Sequence, residues 1–220
     1  MTRGPFEPAF DALPANLPIF PLAGALLLPG GKLPLNIFEP RYLAMTRDAL
    51  AGDRLIGMVQ PTEPEAAGRP PAVYPIGCAG RIVSFSETDD GRYLVTLAGL
   101  CRFRIRQELP EAGGYRRVEA DFAPFRSDME SEARAVVERD RLLTSLKLYF
   151  KLHGISADWK AIAGAADDKL VTTLAMICPF ADAEKQALLE SPDLTERSRM
   201  MIALIELALL SRDGGEAARH

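Results

Sequence analysis

CRFRIRQELPEAGGYRRVEADF, residues 101–122, decides the fold class of the first half of the chain. Apolar and polar residues alternate with period two on both sides of a glycine-containing loop, which is the pattern of a β-hairpin with one buried face. Opposing Cys101 to Phe122, Phe103 to Ala120 and Ile105 to Val118 gathers the apolar residues on one face. The same register sets Arg102 against Asp121 and Arg104 against Glu119 on the other. A slip of one residue would spoil both faces, so the pattern itself predicts this register.

Upstream, TDDGR (88–92) supplies an Asp-Gly turn between RIVSFS and YLVTLAG. Asp89 and Asp90 are read as turn residues rather than as a metal or acid–base pair. Eight of the 17 prolines fall in the first forty residues, five more by Pro75, and only Pro179 and Pro192 follow Pro124. Proline fixes φ and removes a backbone donor, so the first half is predicted to be short strands and loops, and the second to carry long helices. The boundary is expected near Pro124 to Asp128. QPTEPEAAGRPPAVYP (60–75) reads as a long exposed loop.

In the second half, SDME (127–130) fits a capping box and predicts a helix from there to about His153. Its apolar stripe is Val136, Leu143, Leu146, Phe150 and His153, and Gly154 suits the C′ position. Further helices are predicted over 167–177, 182–190 and 192–212, the last with Pro192 at N1 and Gly214 at its end. Met200 to Leu210 is apolar on most sides except Glu206, so it is expected to pack within its own bundle, with a second copy of the chain left open as a partner.

The chain of 220 residues is 48% hydrophobic and 25% charged, with a net charge of −4 spread over both halves. That composition is globular, and the missing basic excess argues against nucleic acid as the main partner. The three cysteines form no CxxC pair and suggest neither a disulfide framework nor a zinc site, which fits a cytoplasmic setting. MMIALIELALL (200–210) is too short to cross a membrane. PGGKL (29–33) imitates a phosphate-binding loop, but Leu26 and Leu33 stand where glycine and Ser or Thr are required. GxSxG, HExxH and Ser-x-x-Lys motifs are absent, and His153 and His220 are the only histidines. No catalytic residue, metal ligand or cofactor is therefore predicted.

IFEPRY (37–42) reads as a helix start, with Glu39 at the cap, Pro40 at N1, a Phe38–Leu43 hydrophobic staple and Gly52 as the stop. Capping does not require Arg41 and Tyr42. Phe38, Glu39, Arg41 and Tyr42 are accordingly the candidate partner-binding residues. Arg102, Arg104 and Arg106 form an alternative stripe for RNA or a small ligand, although carboxylates opposite two of them favour a neutralised, solvated face.

LPIFPLAGALLLPGGKLPLNIFEPRYLAM (17–45) resembles the opening of the amino-terminal domain of Lon proteases, in which an LPxFPL segment, an FPG-like turn and PLxIFEPRY follow in this order. IGCAGRIVSFSETDDGRYLVTLAGLCRFRI (76–105) is similar to the family's central strand pair, and PFADAEKQALLESPDLTER (179–197) to its helical PxxxEKQxLLE region. Leu28 departs from the usual Phe of FPG, and Asn36 stands where many relatives have a basic residue. The resemblance implies an α+β fold: a β-rich, PUA-like pseudobarrel over 17–124 and a C-terminal α-helical bundle over 125–212. Residues 1–16 and 213–220 are expected to be flexible ends.

The resemblance also implies a stand-alone form of the domain, because the motifs of the ATPase and Ser-Lys peptidase modules are absent. The expected function is non-catalytic binding of proteins or unfolded peptide segments, as a recognition module or adaptor. A PUA-like RNA- or small-ligand-binding protein is the alternative.

Overall fold

The computed structural model describes residues 8–63, 70–130 and 135–217, with side chains given up to Ser211. The chain divides into two compact units, Met1–Glu132 and Ala133–His220. The division falls beyond the expected Pro124–Asp128 boundary because a 3-10 segment, Ala123–Met129, packs back on the strands of the first unit.

The strands of the first unit are β1 (Asn16–Pro21), β2 (Lys32–Ile37), β3 (Leu55–Val59), β4 (Ile76–Glu87), β5 (Tyr93–Ala112) and β6 (Tyr115–Asp121), and helix α1 (Pro40–Ala51) lies between β2 and β3. β1 pairs in parallel with β3 and antiparallel with β6, and β3, β4, β5 and β6 pair antiparallel in sequence. These contacts close a ring of five strands. Closure removes the exposed edges that an open sheet would carry. β2 stands outside the ring and, among the described residues, pairs only with residues 93–98 at the start of β5.

Leu17, Ile19, Ala79, Cys101, Phe103 and Val118 fill the interior together with Phe122 and Phe125. The period-two pattern of β5 and β6 therefore places its apolar face inward, as the sequence predicts. The register differs. Ile105 faces Ala120 rather than Val118, and Arg104 faces Asp121 rather than Glu119. The turn sits on Gly113 and Gly114, at φ 61° and 81°, since a two-residue hairpin turn of this hand needs positive φ at both positions. Irregularities after Ile105 and Leu109 take up the rest of the offset. At Arg104 and Ile105 the shift is two residues, which keeps both on their expected faces although the partners differ, and beyond Ile105 the offset becomes three.

Residues 8–16, expected with the first seven as a flexible end, include a 3-10 turn, Phe10–Ala12. Phe10 and Leu13 pack against the core, and Arg126 lies 4.1 Å from the Phe10 ring and 2.7 Å from Asp11.

The second unit contains α2 (Arg139–Leu152), α3 (Trp159–Gly164), α4 (Asp167–Ile177), α5 (Asp182–Glu190) and α6 (Leu194–Ala217). The predicted bounds of α4 and α5 agree with the structure. The start of α2 does not. Ser127 and Glu130 form no capping box, residues 123–129 are 3-10, and Val136 is 68% exposed outside the helix. The buried stripe of α2 is Leu142, Ser145, Leu146, Tyr149 and Phe150. Its end is as expected, with Gly154 at φ 65° after the C-cap His153.

α6 begins later than predicted, because the Asp193 carboxylate accepts the Glu196 N–H at 2.9 Å and so supplies the cap in place of Ser191. Its backbone continues past Gly214 to Ala217, through most of the expected flexible tail. The short α3 is an addition to the predicted helices; Asp158 caps it by accepting the N–H groups of Lys160 and Ala161. Met201, Ile202 and Ile205 are buried, whereas Leu207 and Leu210 are exposed. Glu206 accepts two hydrogen bonds from Arg141, at 2.8 and 2.7 Å.

Candidate functional site

PGGKL has a structural role. Gly30 donates its N–H to the Gly99 carbonyl, and Gly99 donates to the Gly31 carbonyl, both at 2.9 Å, so the loop is clamped against β5. A side chain on Gly99 would meet the Leu28 carbonyl oxygen at 2.0 Å, which explains the glycine at this close approach.

The arginine stripe does not form a surface. Arg102 lies on the outer side of β5, but the 3-10 segment covers it and leaves its side chain 3% exposed. Its backbone N–H, Nε and Nη2 donate to Asp128 at 2.9, 2.9 and 2.7 Å, and Phe125 lies 4.9 Å from its guanidinium. Burial pulls the guanidinium toward the neutral form, and the Asp128 hydrogen bond and charge outweigh it, holding its pKa above the ordinary value. Arg104 remains exposed, and Arg106 sits 3.1 Å from Asp121 and 3.9 Å from Glu119. The alternative ligand stripe thus loses one of its three members to the interior, and acids neutralise another.

IFEPRY is built differently from a staple-and-cap start. Pro40 opens α1 and Glu39 occupies the N-cap position, but the Glu39 carboxylate makes no capping bond. It accepts from Arg41, with Nε at 2.9 Å and Nη2 at 2.8 Å. Phe38 points outward, 61% exposed, with the Arg92 guanidinium 5.7 Å from its ring, so it forms no staple with Leu43. Tyr42 is buried against Phe20, with ring centroids 4.1 Å apart, and Arg41 lies 4.7 Å from the Tyr42 ring. Gly52 ends the helix, as predicted.

Phe38, Glu39, Arg41 and Tyr42 together border one groove of about 440 Å³. Its other walls are Phe20–Ala23 at the end of β1, Pro34–Ile37 of β2, and Pro61, Pro70 and Pro71. Arg116 of β6 also lines it, donating through Nη1 to the Pro71 carbonyl at 2.8 Å and through Nε to Glu108 at 3.1 Å. α1 is held to the barrel by Tyr115, whose hydroxyl donates to Asp48 at 2.7 Å. Burial, then the Asp48 contact, pushes the Tyr115 pKa up to about 12. The groove is apolar with arginine and glutamate at its border, a lining suited to hydrophobic side chains flanked by polar backbone. A second, largely apolar cavity of about 390 Å³ lies in the helical unit, between Phe150, Ile155, Ile162, Leu174 and Ile177.

Among the described residues, no three His, Cys, Asp or Glu side chains gather to hold a metal ion. The three cysteines are buried and form no disulfide with one another. Burial, reinforced by Asp128 and opposed by Arg102, pushes the Cys101 thiol up to about 12. Burial opposed by Lys185 does the same at Cys178. Thiolate is the reactive form, so neither is a nucleophile at neutral pH. Iodoacetamide at pH 8 is expected to leave both unlabelled in native protein and to modify them at once in denaturant. Rapid native labelling of Cys101 would contradict this burial.

No described helix is long and apolar enough to cross a membrane. Strand order, helices and groove define an α+β protein with a β-rich pseudobarrel and a separate helical unit. Residues 16–206 match the family model described as the ATP-dependent protease La (LON) substrate-binding domain, and the chain belongs to that family. It is 29% identical over 208 residues to Lon protease 2 of Myxococcus xanthus, covering 89% of this chain and 24% of that protein. Lon protease of Anaeromyxobacter dehalogenans is 27% identical over 202 residues, covering 89% and 23%. The chain therefore spans about a quarter of the length of these curated relatives.

Among solved structures, the crystal structure of a Lon N-terminal domain protein from Xanthomonas campestris matches with a TM-score of 0.60 and 25% identity, covering 86% of this chain and 97% of that one. The N-terminal domain of the Mycobacterium avium complex Lon protease matches at 0.61 and 19%, covering 87% and 98%.

Five of the groove residues lie in IFEPRY, and four of them, Phe38, Glu39, Arg41 and Tyr42, are the candidates named from the sequence. Phe20–Ala23 and Pro34–Asn36 lie in the same 17–45 stretch that carries the resemblance, whereas Pro61, Pro70, Pro71 and Arg116 come from segments further along the chain that no motif joins to it.

Proposed function

We propose that this chain is a non-catalytic protein-binding module that holds exposed segments of other proteins in the groove beside IFEPRY. One observation carries the reading: in a chain whose family is described as substrate-binding, Phe38, Glu39, Arg41 and Tyr42 converge on a single apolar groove. Phe38 supplies an exposed aromatic at the mouth, and Tyr42 with Phe20 supplies an apolar wall. Arg41 pairs with Glu39 and Arg116 with Glu108, so the border is polar with its charges matched. A cytoplasmic setting belongs to this reading and is supported by three buried cysteines that form no disulfide.

The test is retention of unfolded, carboxymethylated casein by the immobilised protein. Wild type is expected to retain it, and a Phe38→Ala, Arg41→Ala double variant to bind about tenfold more weakly. Burying a phenylalanine ring contributes about 1.5–3 kcal/mol, and tenfold corresponds to about 1.4 kcal/mol. Phe38 is exposed and Arg41 half-buried, so circular dichroism should show an unchanged fold. Equal retention by wild type and variant would place the site elsewhere.

A further inference from the structure

Resting on the reading above, we infer that the groove takes its partner as an extended strand, hydrogen-bonded along the free edge of β2. The peptide backbone, more than any one side chain, is what the site recognises.

Among the described residues, β2 has a strand neighbour on one side only. Its six residues pair with β5 from Lys32 opposite Ala98 to Ile37 opposite Tyr93, and no other described strand pairs with it. Pro34 lies within this ladder, opposite Thr96. A proline that leaves its ladder intact directs its nitrogen away from the partner strand. Backbone direction alternates along a strand, so the outward side also carries the N–H and C=O groups of Asn36.

The groove follows this edge. All four residues Pro34–Ile37 border it, although side chains alternate across a strand and a cavity over one face would touch every second residue. The facing wall is again four consecutive residues, Phe20–Ala23, beyond the point where β6 stops pairing with β1 at Pro18. A slot bordered by a strand with an unpaired backbone edge is complementary to a further strand. Addition to a sheet edge binds through the main chain and leaves specificity to alternate side-chain pockets. Here those side chains would meet Phe20 and Tyr42. Pro34 also removes one outward donor, which limits indiscriminate pairing of the free edge.

The experiment measures fluorescence anisotropy of a fluorescein-labelled peptide of alternating valine and threonine with the full chain. Two analogues replace the backbone amides by esters, one at the valines and one at the threonines. Strand addition presents only one of these sets to β2, so one analogue is expected to bind about tenfold more weakly, and the other within about twofold of the parent. Asn36→Pro should weaken the parent peptide by a similar factor, and Asn36→Ala should not.

Equal binding of both analogues overturns strand addition, as does a folded Asn36→Pro variant with wild-type affinity. If that variant does not fold, the ester pair decides. Dimerisation of the peptide-free chain by analytical ultracentrifugation, lost in Asn36→Pro, assigns the edge to a second copy and also overturns the inference. A wild type that retains casein but not the peptide defeats strand addition alone; failure to retain casein defeats the binding function itself.

Discussion

Gly99→Ala is expected to destabilise the barrel by about 3 kcal/mol, the upper part of the range for overpacking a closed interior. The added Cβ would lie 2.0 Å from the Leu28 carbonyl oxygen and 2.8 Å from its carbon. Both are backbone atoms, so a change of rotamer cannot relieve the clash. The loop would have to retreat, losing the reciprocal hydrogen bonds between Gly99 and Gly30–Gly31 and loosening Leu26, Leu27 and Leu28, which are at most 2% exposed. Gly164→Ala is the control, because a Cβ there would meet nothing within 4 Å and its φ is not positive. Urea unfolding of both variants checks the prediction. A Gly99→Ala protein within about 1 kcal/mol of wild type would show that the loop is not seated as described.

Asp128→Ala should cost still more, about 3–5 kcal/mol, because it strands the Arg102 guanidinium in the interior. The pair is nearly sealed, at 3% and 5% side-chain exposure, and the carboxylate accepts from the arginine at its backbone and at two guanidinium nitrogens. Arg102→Met should also be costly, because it leaves the Asp128 carboxylate, 5% exposed, with only the backbone N–H of residue 102 among these three donors. The double variant Asp128→Ala, Arg102→Met should then be more stable than Asp128→Ala alone. Additive losses in that cycle would mean that the two side chains act independently.

The same pair explains why the sequence misleads at one place and informs at others. Ser127 and Glu130 have the spacing of a capping box, but Asp128 between them is committed to an arginine 26 residues away, and the backbone adopts a 3-10 turn to deliver it. No local rule reports a demand made from that distance. For α4 and α5 no such demand competes: acids occupy the first turns, the apolar spacing is helical, and the predicted bounds agree with the structure.

The hairpin of β5 and β6 lies between these cases. Alternation identifies its faces, but its partners depend on which residues make the turn and on two irregularities invisible in the pattern. At the groove, IFEPRY is recognisable as a helix start with surplus residues. That Phe38 faces outward, and that Phe20 comes to lie against Tyr42, depend on how α1 packs against the end of β1, which no local pattern reports.

β1 pairs with β3 over residues 19–21 and with β6 over residues 16–18, so one short strand joins two partners, the second about a hundred positions downstream. Local hairpins assemble readily, whereas bringing distant segments together carries the larger entropic penalty and sets the pace of folding. On a ribosome, the first strand must wait for the sixth to emerge. The binding groove, walled by the end of that waiting strand, is consequently expected to mature only when the ring shuts, so a partly synthesised chain would have no finished site with which to capture its neighbours.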